Sequence, residues 1–458
     1  MLPEAFITRM KKLLGDEYAD FERALDGPSV KGVRVNLIKT SKETFKSTFN
    51  GELSPISYID TGFIPDMQSG LGQLPEHHAG MFYSQDPGAM ATVCSASISE
   101  GEYVLDACAA PGGKSSHVAE IIGDTGFLLA NEYVPKRAKI IVGNFERLGI
   151  KNAVVTSLDT AEIAKMFSAF FDTVICDAPC SGEGMFRKYD AALTEWSEDN
   201  VRECAERQIT ILSNCAKTVK PGGKLLYSTC TYSIEENEGV IDAFLDTHPD
   251  FYLVPVGDEI VSVTSDGIIP EGSCHTNIAL TRRFYPHKSS GEGQYIAQLK
   301  RRDDIYEEPR ILYKDSAKEI SRAEAELVLK FLKENFKKAP DGRFIKQGDG
   351  IALANSKIPI PPYSVFMPGV MLGEIRGKIF FPHHQLFSAF GGNMKRVENL
   401  KKGDPRAIKY LTGEEIEAKE VSGSGYVAVC YEGAVLGGGK LSGGKIKNHY
   451  PKGLRLKK

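Results

Sequence analysis

The chain has 458 residues, of which 42% are hydrophobic and 25% charged, and a formal net charge of −4. That length exceeds what one hydrophobic core serves, so two to four domains of ordinary globular composition are expected. The charge balance argues weakly against a protein that coats nucleic acid over its whole surface. The lack of a long apolar run excludes an α-helical membrane span, and nine irregularly spaced cysteines exclude a disulfide scaffold. With Glu4, Arg9, Lys11 and Lys12 in place of an apolar leader, a reducing cytoplasm is the expected compartment.

In chain order, Phe6, Met10, Leu13, Leu14, Tyr18, Phe21 and Leu25 recur at three- and four-residue steps and predict one amphipathic helix over residues 3–26. Alternation across Gly32-Val33-Arg34-Val35-Asn36-Leu37 predicts a strand with Arg34 and Asn36 on one face. Residues 1–75 thus read as a small N-terminal α/β region. From residue 76, strands at 103–107, 127–131, 153–157, 173–176 and 224–227 alternate with helical segments, the mark of a parallel sheet with crossover helices. Ser233-Ile234-Glu235-Glu236 reads as a capping box opening the helix after Cys230. Residues 282–300 read as an antiparallel edge pair about Gly291-Glu292-Gly293, so this unit spans 76–302. A linker over 303–320 leads to a helix capped by Ser321 and Glu324, within a small α+β unit ending near 390. Residues 391–458 read as short strands with glycine-rich turns. From Gly433 onward there are seven basic residues (Lys440, Lys445, Lys447, Lys452, Arg455, Lys457, Lys458) and no acidic one. Arg282, Arg283, His287, Lys288, Lys300, Arg301 and Arg302 form a second basic group. Such stripes attract phosphate backbones, although a solvated surface accounts for either one alone.

The loop Asp106-Ala107-Cys108-Ala109-Ala110-Pro111-Gly112-Gly113-Lys114 follows a strand and opens a helix. It lacks the Gly-x-Gly-x-x-Gly dinucleotide spacing. A phosphate-binding P-loop, suggested by Gly113-Lys114-Ser115, needs glycine where Cys108 stands. The remaining reading is an S-adenosylmethionine loop, whose small residues admit the amino acid end of the cofactor and whose helix N-terminus receives its carboxylate. Glu132 at the second strand end suits ribose hydroxyls, and Asp159 at the third suits an adenine amino group. Each also suits a helix N-cap or an exposed loop.

Asp177 and Cys180 follow the fourth strand and Cys230 the fifth, so two thiols face one pocket if those strands are neighbours. Amino-group methyltransferases carry Asn or Asp, Pro, Pro and an aromatic at the fourth strand. Asp-Ala-Pro-Cys here speaks for attack on carbon. A thiolate adding to pyrimidine C6 gives C5 enamine character and splits one hard step into easier ones. A free thiol has a pKa near ~8.5, so positive charge from Lys114 or the sulfonium would help it ionise. Asp177 is the candidate acid near ring N3, and a second cysteine would assist release. The residues alone leave open which thiol attacks. Cys94, Cys108, Cys176, Cys204, Cys215, Cys274 and Cys430 read as inert core filling, and His77-His78 and His383-His384 as exposed loops rather than metal ligands. No metal is expected.

Residues 106–114, Asp177-Ala178-Pro179-Cys180-Ser181-Gly182-Glu183-Gly184 and Ser228-Thr229-Cys230-Thr231-Tyr232-Ser233 closely resemble the NOL1/NOP2/Sun family of RNA cytosine-5 methyltransferases. The resemblance runs over about residues 30–302. The tail is similar to the bacterial branch acting on small-subunit ribosomal RNA, which carries a PUA-like module. It implies a Rossmann-like S-adenosylmethionine-dependent α/β core with an antiparallel edge at 76–302, RNA-binding regions at 1–75 and 391–458, and a linker with a small α+β domain at 303–390. It also implies Cys230 as nucleophile and Cys180 as helper in release. Cys108, Ala109, Ala110, Pro111, Gly112, Gly113, Lys114, Glu132, Asp159 and Asp177 are the implied cofactor contacts. Lys114 and Asp177 are further implied to touch the target cytosine, and Arg137 to support the loop. A monomer acting on 16S ribosomal RNA is expected. Transfer RNA is the competing substrate, and a non-catalytic ribosome assembly protein or a P-loop NTPase are the competing classes.

Overall fold

The computed structural model describes residues 2–354 and 358–457; Lys458, the last of the basic tail, lies outside the described residues. At its centre, residues such as Val104, Leu128, Val155, Val174, Ile175, Leu225 and Leu226 are almost wholly buried on strands covered on both faces. Five of these strands are parallel, in the spatial order Ala153–Thr156, Phe127–Asn131, Tyr103–Asp106, Phe171–Asp177 and Val219–Thr229. The order therefore reverses between the first and fourth strands, and in open α/β sheets ligands bind outside the carboxyl ends at such a point.

The sheet continues with antiparallel strands at both edges to a total of ten. Gln294–Arg301 lies beside the fifth strand and Arg282–Phe284 beside it in turn, the edge pair expected about Gly291. At the far edge, Val365–Met367 pairs antiparallel with the third strand. The segment after residue 302 therefore supplies a strand to the central sheet instead of forming a wholly separate unit. The helix Arg322–Asn335 has the expected capping box of Ser321 and Glu324.

Other local expectations need correction. The first helix is two, Glu4–Leu14 and Tyr18–Asp26, broken at Gly15, whose φ is 54°. The apolar spacing conceals the break because both helices face one core, formed with Phe186, Trp196, Tyr232 and Tyr285. Ser233 to Glu236 do not cap a helix, which begins at Glu238 after Asn237. Instead the Ser233 hydroxyl donates to Glu183 and Glu236 accepts from Ser181. Much of the second basic group is committed to acids: Arg282 to Asp266, Arg283 to Glu238, Lys288 to Glu17, and Arg301 to Asp250 and Glu307. It forms no continuous free stripe for phosphate.

A four-stranded antiparallel sheet, Leu53–Ile56, Ile59–Pro65, Gly32–Val35 and Phe82–Gln85, occupies the N-terminal region and takes its last strand from beyond residue 75. It shares one apolar cluster with the C-terminal five-stranded sheet: Val33, Phe45 and Phe82 on one side, Leu400, Tyr410 and Ile446 on the other. Of the histidine pairs expected in exposed loops, His383 is exposed as expected, and the other three lie at or near this junction. His77 and His78 are half-buried, His384 is buried, and His78 Nδ1 is 2.8 Å from the Tyr450 hydroxyl. Cys274, expected in a core, is exposed beside His275, whose Nε2 is 2.9 Å from Asp246 Oδ1. Within the basic tail, Ala434–Ser442 and Lys445–Asn448 are paired strands that bury Leu441 and Ile446 and expose Lys440, Lys445 and Lys447. Deleting the tail would thus dismantle a sheet. Among the described residues no helix is long and apolar enough to cross a membrane.

The buried Arg283 guanidinium donates to Glu238, to the Tyr232 carbonyl at 2.8 Å and to the Tyr285 hydroxyl at 3.2 Å. Removing one partner of such a pair strands the other charge without solvent, typically at about 3–5 kcal/mol. Glu238→Ala should therefore lower the urea midpoint markedly; a midpoint within error of the parent would show that Arg283 finds another partner.

Candidate functional site

Where the first and fourth strands part, their terminal loops enclose a cleft of about 1170 Å³. Of the residues anticipated for the site, Cys108, Ala109, Ala110, Pro111, Gly113, Lys114, Glu132, Asp159, Asp177, Cys180 and Cys230 line it. Gly112 does not. It stands at φ 107°, a left-handed conformation that glycine adopts freely, and turns the loop into the helix Gly113–Ile122. A Cβ on Gly113 would lie 3.0 Å from Tyr83 Cε1 and 3.2 Å from Gln85 Cδ, so this glycine admits the N-terminal sheet against the helix start. Arg34 on that sheet is 1% exposed, donates to Ser116 Oγ at 2.7 Å and pairs with Glu120 at 3.3 Å, which anchors the helix from behind. Asn36 donates to the carbonyls of Gly80 and Leu148.

The cleft is rich in carboxylates. Asp106, noted in the sequence only as the start of the loop, is 1% exposed; Ser115 Oγ donates to its Oδ2 at 2.5 Å, and its Oδ1 has no partner. Burial raises its pKa to about 7. Glu132 accepts from the Val134 amide at 3.0 Å and pairs at 3.3 Å with Arg137, which also donates to the Ala110 carbonyl. Asp159 is the N-cap of the helix Thr160–Met166, accepts from the Ala161 amide at 2.8 Å, and still borders the cleft. Its two sequence readings are therefore compatible.

Asp177 is held from both sides: Lys114 Nζ lies 2.7 Å from its Oδ2, and the Ser228 hydroxyl donates to its Oδ1 at 2.6 Å. Burial disfavours the Lys114 charge, but Asp177 outweighs it and keeps the ammonium pKa above its ordinary value. The Lys114 ammonium is thus held against Asp177 at the cleft wall.

The fourth and fifth strands pair in parallel, with Ser228 opposite Asp177, and this register brings the two cysteine loops together. Cys180 Sγ and Cys230 Sγ are 3.3 Å apart. The hydrogen bond with Cys230, followed by burial, pushes the Cys180 thiol well above its ordinary pKa and keeps it neutral. Glu183 and Glu236, both buried beside the thiols, were not picked out by sequence reasoning; Glu183 lay inside a quoted motif and Glu236 inside the supposed capping box.

A Rossmann-like sheet whose switch point holds an acid-lined cleft and a pair of thiols is the architecture of a methyltransferase. The family model for 16S rRNA methyltransferase RsmB/F matches residues 94–300, the RsmF N-terminal domain model matches 2–87, and the RsmF PUA domain model matches 398–456. Ribosomal RNA small subunit methyltransferase F of Vibrio vulnificus is 30% identical, over 99% of this chain and 97% of its own length. The protein of that name from Aeromonas hydrophila is 29% identical over the same shares. Among solved structures, a methyltransferase homologue from Pyrococcus horikoshii is 26% identical with a TM-score of 0.57, covering 65% of this chain and 95% of that one. NSun6 from Pyrococcus horikoshii, at 21% identity and a TM-score of 0.57, covers 66% of this chain and 99% of its own and shares the fold. The chain belongs to the RsmB/F family of 16S rRNA methyltransferases.

Because the folded pKa of Asp106 lies near 7 against 3.8 ordinarily, the native chain holds a proton between those values that the unfolded chain has lost. Stability attributable to this group therefore falls as pH rises through that window and is level above it. Asp106→Asn removes the titration, so the melting temperature of the variant minus that of the parent should grow from pH 5 to pH 7, the upper part of that window. A constant difference would show that Asp106 is not displaced.

Proposed function

We propose that this chain is an S-adenosylmethionine-dependent RNA cytosine C5-methyltransferase that modifies 16S ribosomal RNA through a covalent adduct between Cys230 and C6. The observation that carries the proposal is the pair of thiols 3.3 Å apart in one cleft with the Lys114–Asp177 ion pair.

The cleft fits the cofactor chemically. Asp106 with its unpartnered oxygen, Glu132 and Asp177 favour a ligand bearing ammonium, sulfonium and hydroxyl groups, and the same acids disfavour a nucleoside triphosphate. The small residues Ala109, Ala110 and Gly113 with the helix N-terminus would hold the amino acid end, Glu132 the ribose, and Asp159 the adenine. When bound, S-adenosylmethionine supplies an electrophilic methyl group.

The protein's own residues prepare the ring. Cys230 adds to C6, breaking the aromatic system and making C5 nucleophilic. Lys114 donates to the ring nitrogen or carbonyl as charge develops there, and Asp177 orients that ammonium and presents an acceptor to the exocyclic amine. After C5 is methylated, solvent water takes the C5 proton, the freed electron pair restores the C5–C6 double bond, the C6–Sγ bond breaks with its pair going to Cys230, and the neutral Cys180 thiol hydrogen-bonds the departing thiolate. A scaffold protein has no use for this arrangement, which counts against the non-catalytic reading.

The target base must leave its stack to enter the cleft. The N- and C-terminal sheets, packed on one another, would hold the surrounding RNA, with Lys440 and Lys447 on an exposed strand pair available to phosphates. The relatives' names favour 16S ribosomal RNA over transfer RNA. Cys230→Ala should abolish methylation while cofactor binding persists. Cys180→Ala should let a denaturation-resistant adduct with RNA accumulate. Turnover by Cys230→Ala, or an adduct that requires Cys180, would reverse or end the assignment.

A further inference from the structure

Two fully buried carboxylates flank the thiols without touching the cleft's ion pair, and their bonding is reciprocal. Glu183 belongs to the loop that carries Cys180, yet its oxygens accept from the Cys230 segment: Thr231 Oγ1 at 2.8 Å, the Tyr232 amide at 2.8 Å and Ser233 Oγ at 2.7 Å. Trp196 Nε1 completes its shell at 2.9 Å. Glu236 belongs to the segment that carries Cys230, yet accepts from the Cys180 loop, through the Ser181 amide at 2.9 Å and the Ser181 hydroxyl, with Gln208 Nε2 at 2.8 Å. One direct link closes the arrangement, the Gly184 amide to the Cys230 carbonyl at 2.8 Å, while the Ser181 and Thr231 hydroxyl oxygens, each donating to a carboxylate, lie 3.0 Å apart.

Burying two carboxylates beside each other is expensive unless every lone pair is met, and burial does displace Glu236 upward, to a pKa of about 7. A fold that needed only packing here could use apolar side chains. What the carboxylates provide is directional bonding to the residues next to each cysteine, Ser181 and Thr231.

We propose that Glu183 and Glu236 are positioning residues that hold the two cysteine loops in a mutual clasp, Glu183 setting Cys230 for attack and Glu236 setting Cys180 for release. The assignment of steps rests on the function proposed above; the clasp itself does not. Loosening Glu236 frees the Cys180 loop while Glu183 still grips the Cys230 segment, so formation of the RNA adduct should survive and its resolution should slow.

Two readouts separate these claims. First, in the RNA-free protein, iodoacetamide labelling of each cysteine is followed by peptide mass spectrometry in the parent and in Glu236→Gln. Labelling of Cys180 should rise several-fold while the buried Cys176 and Cys215 stay protected. Unchanged Cys180 labelling in a folded variant would overturn the clasp. If Cys176 and Cys215 become labelled too, the variant has lost its core packing, and Ser181→Ala decides: it keeps the buried carboxylate but removes the hydroxyl, and the same selective rise is required of it. Second, with RNA and S-adenosylmethionine, the variant that passes the first test should accumulate adduct as Cys180→Ala does. A purely structural role would lower adduct formation and turnover together and would overturn the division of steps. Failure of Cys180→Ala itself to accumulate adduct would instead indict the proposed function, leaving the labelling result to stand by itself.

Discussion

The parallel register between Phe171–Asp177 and Val219–Thr229 is the constraint on which the site depends. With Ser228 opposite Asp177, the chain leaves both strands at the same level, and the loops that follow converge. A slip of one residue would turn every side chain of one strand to the opposite face, burying what now faces the cleft. Val174, Ile175, Leu225 and Leu226, on both faces of the sheet, are all wholly buried, so the pair sits in the middle of the core. The third participant, the loop from Asp106, is set by the first strand, which lies on the other side of the fourth.

Around that centre the molecule places opposite electrostatic demands close together. The cleft is lined by carboxylates, with the pKa of Asp106 raised by burial to about 7 and Asp177 held by Lys114 and the Ser228 hydroxyl. The exposed lysines of the tail stand elsewhere, on the C-terminal sheet that shares a core with the N-terminal one. A net charge of −4 is thus compatible with polyanion binding, since Lys440, Lys445 and Lys447 stand exposed on one strand pair of the tail.

The central sheet is legible in the sequence because buried parallel strands are short continuous apolar runs and their crossover helices have a different period. The site is legible for a related reason: its residues cluster just after strand ends, where open α/β sheets bind ligands. What is not legible depends on long-range bonding. Ser233 and Glu236 have the spacing of a capping box, but each finds a better partner 50 and 55 residues away, in the Cys180 loop. Arg282, Arg283 and Arg301 look like a phosphate patch until their acid partners Asp266, Glu238 and Asp250 are placed beside them. Gly15 interrupts a helix whose apolar stripe continues past the break, because both halves serve one core. His78 and His384 look exposed as members of adjacent polar pairs, but both pack against Tyr450 of the C-terminal region, distant in sequence.

The choice between the two thiols is the central claim, and residue chemistry alone leaves it open. The most direct measurement is to trap the protein on 16S RNA carrying 5-fluorocytosine, from which the C5 substituent cannot leave as a proton, and to identify the cross-linked residue by mass spectrometry. The account requires the adduct on Cys230, dependent on S-adenosylmethionine for its stability. An adduct on Cys180, or none with RNA bound and cofactor present, would contradict it.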